Sequence, residues 1–175
     1  AFVLTGIGPL ALSMLSEIHA RESVVGLSKL WCQILGLAAF LTTPIYIFVF
    51  FNAEQLLVFL FGETYAGAKI IFALCVFFSW VQTVLGWNLT SSTLFILHQR
   101  KTVLSSTIEG SVINILLNLI LIPTYGVTGA VFSTGLVMVY MVLRQLYVVQ
   151  KEVQIGPAFP VITKCFFFSL TAGFI

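Results

Sequence analysis

Apolar residues run along this chain in long blocks, interrupted by short polar links rather than alternating with polar residues. The blocks cover 1–15, 30–51, 70–97, 102–122, 127–149 and 158–175. A hydrocarbon core takes about 20 helical residues to cross, so the middle four blocks read as complete spans and the outer two as partial ones. The pattern predicts an all-α, polytopic transmembrane helical bundle. Block 70–97 would measure about 42 Å at ~1.5 Å per residue, longer than the ~30 Å core, and Gly86 is its expected bend point. Pro44 should kink 30–51, because its ring removes one backbone donor. "LLVFLF" at 56–61 is too short to span and is expected at the interface or in a packed loop. Because the chain starts and stops inside apolar blocks, residues 1–175 read as one transmembrane lobe of a larger protein, truncated at both ends.

The link at 123–126 predicts a helical hairpin: Pro123 should end one span, and Gly126 should permit the reversal. Gly126, Gly129, Ala130 and Ser133 then share a helix face on which small residues let two backbones approach. Polar residues inside the spans are also ordered. Ser79, Gln82, Thr83, Gly86, Thr90 and Thr93 fall on one face of 70–97, opposite Phe77, Phe78, Val81 and Leu85. Thr107, Ser111, Asn114 and Asn118 do the same in 102–122, with Ile108, Val112, Ile115 and Leu119 toward lipid. Each polar stripe should turn inward, either to hydrogen-bond neighbouring helices or to line a wet cavity. Glu109 lies roughly 140° from Asn114 on a helical wheel, alongside Thr102, Ser105 and Leu116. A carboxylate at that depth needs a partner or water. Lys164 is one candidate; Ser105 and lipid headgroups are the others.

Composition sharpens this reading. Apolar residues make up 59% of the chain and charged residues 8%, against about a quarter charged in soluble domains. A net charge of +2 gives no reason to expect nucleic acid as a partner. Alternating spans put Arg21, Lys29, Arg100, Lys101, Arg144 and Lys151 on one side and Lys69 alone on the other. Basic residues favour the cytoplasmic side, which orients the bundle. Cys32, Cys75 and Cys165 stand singly, with no metal or redox spacing. The chain has no aspartate, its two histidines (His19 and His98) fall at helix ends, and no nucleophile–base–acid set or phosphate loop is present. "NLT" at 88–90 lies within a span and is not a glycosylation site. Catalysis, cofactors and bound metals are therefore not expected; a helical bundle with a polar interior points to transport.

Specific words of the sequence carry a resemblance. "NILLNLILIPTYGVTGAVFST" (114–134) resembles the paired-helix signature of Wzx-like polysaccharide flippases, a branch of the multidrug/oligosaccharidyl-lipid/polysaccharide exporter superfamily. "LVFLFGETYAGA" (57–68), "ILHQRKT" (96–102) and "GPLALS" (8–13) resemble the family's outer segment, basic turn and helix end, in the same order. The resemblance implies a bundle of two pseudo-symmetric lobes around a central cavity, with this chain supplying most of the C-terminal lobe. It implies alternating-access flipping of undecaprenyl-pyrophosphate-linked oligosaccharide across the inner membrane, during O-antigen or exopolysaccharide synthesis. The implied partners are that lipid-linked oligosaccharide, membrane lipids, the N-terminal lobe and a polysaccharide polymerase. Gln82, Thr90, Glu109, Asn114, Asn118 and Lys164 become the candidate cavity residues, with the basic residue toward pyrophosphate and the others toward sugar. A lipid II flippase or a cation-coupled multidrug antiporter would share the fold. A membrane-embedded polymerase or acyltransferase is the alternative of another class, although the outer links here are short.

Overall fold

The computed structural model describes residues 24–153, which form helices joined by short turns, with no strand among the described residues. The elements are α1 (Val24–Phe51), α2 (Ala53–Phe61), a 3-10 turn (Glu63–Ala68), α3 (Lys69–Val84), α4 (Trp87–Ile96) and α5 (Arg100–Val153). The outer apolar blocks, 1–15 and 158–175, lie outside the described residues. Three stretches are long and apolar enough to cross a membrane: Lys29–Phe51, Glu63–Ile96 and Arg100–Lys151.

The last of these is 52 residues long and would extend about 78 Å if straight, more than twice the hydrocarbon core. It folds back on itself instead. Gly126, at φ 58 and ψ −137, breaks the helix into arms 100–125 and 127–153. Cross-arm partners sit symmetrically about this break: Asn118 with Ser133, Glu109 with Tyr140, and Ser106 with Gln145. That register is an antiparallel hairpin. Pro123 does not end the first arm, as the sequence suggested; helix continues past it to the break at Gly126. The Thr124 hydroxyl donates to the Ile120 and Leu121 carbonyls, supplying a donor beside the one that proline lacks.

Small residues let the arms close, although not quite the set expected. Gly126 sits at the open tip with nothing within 4 Å of a Cβ placed there. Gly129 is where the arms meet most tightly: a Cβ there would overlap the Leu121 carbonyl. Gly110 lies under Met141 and Val137. Gly135 serves a different contact, receiving the Phe78 ring, so Phe78 is buried against arm 127–153 rather than turned to lipid. Ile108, Val112, Ile115 and Leu119 are all more than half exposed, as a lipid-facing row should be.

Block 70–97 bends where glycine permits it. Gly86 takes φ 68 and ψ 42, a left-handed conformation that L side chains avoid, and separates α3 from α4. A Cβ there would also stand 2.8 Å from Leu35 Cδ1, so α1 packs directly against the bend. α1 itself runs unbroken through Pro44. Around the proline, Thr42 and Thr43 hydroxyls donate to the Ala38 and Ala39 carbonyls, which keeps these buried polar groups satisfied within the helix. The 56–61 segment belongs to the short helix α2, whose Phe59, Leu60 and Phe61 are exposed while Glu54 pairs with Lys69 at 2.9 Å. At the other end, His98 (φ 57) closes α4: Gln99 N–H donates to Leu94 O and His98 N–H to Phe95 O. That double bond is a Schellman cap, so His98 is a helix terminator.

The spans thus alternate in direction, with α3 packed on α1 and on α5, and α4 packed on α5. Trp31, Leu35, Leu89, Leu94, Leu146 and Val149 form the buried core at the end that carries the basic turn.

Candidate functional site

Glu109 and Arg144 form an ion pair across the hairpin, and the Tyr140 hydroxyl donates to the same Glu109 Oε2 at 3.1 Å. The partner of Glu109 is thus on the adjacent arm; Lys164 lies outside the described residues. The sequence alone puts Arg144 with Lys151 in the cytoplasmic region 144–157, which is too shallow. Arm 127–153 continues past it, and the antiparallel register brings it level with Glu109, about 14 Å along the arm from Arg100. With Arg100 and Lys101 at the membrane surface, that level falls near the middle of a ~30 Å hydrocarbon core.

The pair does not face the bundle interior. Its side chains are 32% (Arg144) and 44% (Glu109) exposed, on a flank that also presents Leu136 and Leu143. Tyr140, Arg144, Tyr147 and Lys151 follow one another at i, i+4, i+7 and i+11, a single helix face leading to the basic end. Lys151 Nζ stands 4.5 Å over the Tyr147 ring, a cation–π contact. Aromatic faces, phenol hydroxyls and cations on one stripe suit a ligand that has both sugar and phosphate character. This stripe goes unrecognised in the sequence alone because Arg144 and Lys151 count there toward the cytoplasmic region 144–157; the i, i+4, i+7, i+11 spacing is the available signal.

Asn114 and Asn118 lie on the opposite edge of the hairpin interface. Asn118 Nδ2 donates to Asn114 Oδ1 at 2.8 Å, and the Ser133 hydroxyl meets Asn118 Oδ1. The amides therefore join the arms, which decides for interhelical bonding over cavity lining at Asn118. Thr107 and Ser111 do not share this role. Both are exposed and donate back to Val103 O and Thr107 O, each at 2.9 Å. All four share one helix face, and the division is set by what stands opposite: Asn118 has Ser133 across the hairpin.

The α3–α4 stripe divides at the Gly86 bend. Tyr46, Ser79, Gln82, Thr83, Gly86 and Asn88 are among the residues around a pocket of about 160 Å³ against α1. Gln82 also borders a second pocket of about 340 Å³, toward arm 127–153, where its Nε2 donates to Met138 Sδ at 2.8 Å. Thr90 and Thr93 do not reach either pocket; both are fully buried, and Thr93 donates to Leu89 O. The left-handed residue rotates α4 out of phase with α3, so wheel positions do not carry across it. Gln82, Thr90, Glu109, Asn114 and Asn118 are accordingly not gathered around one cavity among the described residues.

One buried polar contact had no forecast. Ser91 Oγ donates to Gln145 Oε1 (2.8 Å), Gln145 Nε2 donates to Ser106 Oγ (2.9 Å), and Ser106 Oγ donates to Val103 O (2.9 Å). Gln145 is completely buried, so this relay ties α4 to both hairpin arms. Gln145→Leu should cost about 1–2 kcal/mol in mixed-micelle unfolding, since Ser91 loses its acceptor in a dry interior. Ser111→Ala, on the exposed flank, should stay within about 0.5 kcal/mol.

Among the described residues no group of three or more His, Cys, Asp or Glu is arranged to hold a metal ion. Compared with family models, with characterised proteins and with solved structures, the chain gives no match.

Proposed function

We propose that this chain is the C-terminal lobe of an inner-membrane transporter that flips undecaprenyl-pyrophosphate-linked oligosaccharide by alternating access. The observation that carries the reading is the half-exposed Tyr140–Arg144–Tyr147–Lys151 stripe, with Glu109 beside Arg144 near the middle of the span. Charged groups there are costly against lipid tails, by ~2.5–3.5 kcal/mol per residue on insertion scales. Their flank therefore fits a wall of a water-filled cavity that the N-terminal lobe closes. The resemblance of 114–134 to polysaccharide flippases supports the same reading, because that stretch forms the turn and tight contacts of the hairpin presenting the stripe.

The test is reconstitution of the full-length transporter in proteoliposomes with an undecaprenyl-pyrophosphate-linked oligosaccharide. Protein-dependent movement between leaflets is expected, and Tyr147→Ala should slow it by about tenfold through loss of one stacking contact, worth ~1.4 kcal/mol. Absence of movement, together with cation-gradient-driven efflux of a lipophilic dye, would replace the reading with drug antiport. Genes for glycosyltransferases and a sugar polymerase beside this one are the corresponding genomic expectation.

A further inference from the structure

We infer that Glu109 is a place-holder: it occupies Arg144 while the site is empty and yields it to a phosphate oxyanion of the ligand. The inference deepens the transport reading and rests on it for the ligand's access to this flank. Its basis is the geometry of the pair. Arg144 Nη1, through the ion pair, and the Tyr140 hydroxyl, through a hydrogen bond, both meet one carboxylate oxygen, Glu109 Oε2, so a single anionic oxygen faces both groups. Either donor would serve a phosphate oxygen equally, and the guanidinium fork suits it especially well. The two side chains are part-exposed on the flank while Arg144 Nη1 itself is buried, so a ligand gains that nitrogen only as Glu109 gives way, without unpacking the hairpin.

Charge balance points the same way. Tyr147 and Lys151 extend the stripe from Arg144 with an aromatic ring and a cation; among the described residues Glu109 is the acid paired with Arg144. An uncompensated guanidinium among Leu136 and Leu143 would be costly, and the carboxylate removes that cost in the empty state. When phosphate arrives, one charge-assisted pair replaces another, and Glu109 is released toward the aqueous flank. Competition from Glu109 keeps the ligand from binding too tightly to leave, which a carrier requires.

The test uses the full-length transporter in phosphatidylcholine nanodiscs, with inorganic pyrophosphate as probe and both affinity and thermal shift as readouts. Glu109→Gln should tighten pyrophosphate binding by about tenfold, equivalent to ~1.4 kcal/mol of removed competition. Pyrophosphate should also raise the melting temperature of this variant more than that of the parent, because binding to the folded state alone stabilises it. Arg144→Gln should abolish the binding in either background. Tyr140→Phe keeps every charge and guards against misfolding of the glutamine variant. It loosens Glu109 but also removes a phosphate donor, so its affinity should change by less than about threefold. Unchanged or weaker binding in a folded Glu109→Gln variant overturns the place-holder role. So does pyrophosphate binding that survives loss of Arg144. Repeating the titration in phosphatidylglycerol nanodiscs separates two sources of phosphate: strong competition there assigns the occupant to bulk headgroups, and its absence to the carried lipid. Tightening in Glu109→Gln without any oligosaccharide movement would leave the exchange standing and remove the flippase reading.

Discussion

Gly129→Ala is expected to destabilise the hairpin strongly. The added Cβ would overlap the Leu121 carbonyl, and backbone cannot rotate aside as a side chain can. At Gly110 and Gly135 the obstacles are side chains, Met141 and the Phe78 ring, rather than backbone. Overpacking typically costs 1–3 kcal/mol. Separation of the arms should place Gly129→Ala at about 3 kcal/mol or above, because the same shift also pulls Ser133 away from Asn118. Gly67→Ala is the internal control: nothing lies within 4 Å of its Cβ position, and a change within about 0.5 kcal/mol is expected. Equilibrium unfolding in mixed detergent micelles, read by tryptophan fluorescence, measures both. Equal stability of the two variants would mean that the arms are not packed backbone to backbone.

Arg144→Met carries the second large effect. The methionine keeps much of the aliphatic stem but strands the Glu109 carboxylate beside exposed leucines near mid-span. The cost is expected at about 2–3 kcal/mol, the insertion penalty of a lone charge, with partial exposure keeping it below the 3–5 kcal/mol of a fully buried broken pair. Glu109→Leu strands the guanidinium instead and should cost a similar amount. The double variant, apolar on both arms, should be more stable than either single one, with a coupling of about 1–3 kcal/mol. Additive losses would show that the two charges are stabilised separately by water.

Much of the architecture was legible because its signals are local. Apolar block length set the described spans, Gly126 set the reversal, and Gly86 set the bend. The exposed row at Ile108, Val112, Ile115 and Leu119 followed from helical periodicity alone. The candidate site was less legible, for identifiable reasons. Arg144 reads as the edge of a loop until the hairpin register brings it level with Glu109. Gln145 looks like one more polar residue at a helix end, and only the packing of α4 gives it Ser91 on one side and Ser106 on the other. Thr90 fell out of its stripe because the left-handed Gly86 breaks the helical phase on which the stripe was drawn. Phe78 was assigned to the apolar outer face, and the absence of a side chain at Gly135 drew it inward. In each case the missing information was which residue stands opposite.

The hairpin register also bears on how the chain reaches the bilayer. Tyr140 lies 31 residues after Glu109, and Arg144 follows Tyr140 by one turn. During synthesis the first arm is complete before either partner has been made. Released alone from the insertion machinery, it would carry an unpaired carboxylate into hydrocarbon. Retained until the second arm emerges, it would enter already neutralised, with Asn118 bonded to Ser133 and its carboxylate paired with Arg144. The two arms are thus expected to insert as one unit, the ion pair linking their entry in time as well as their position in the fold.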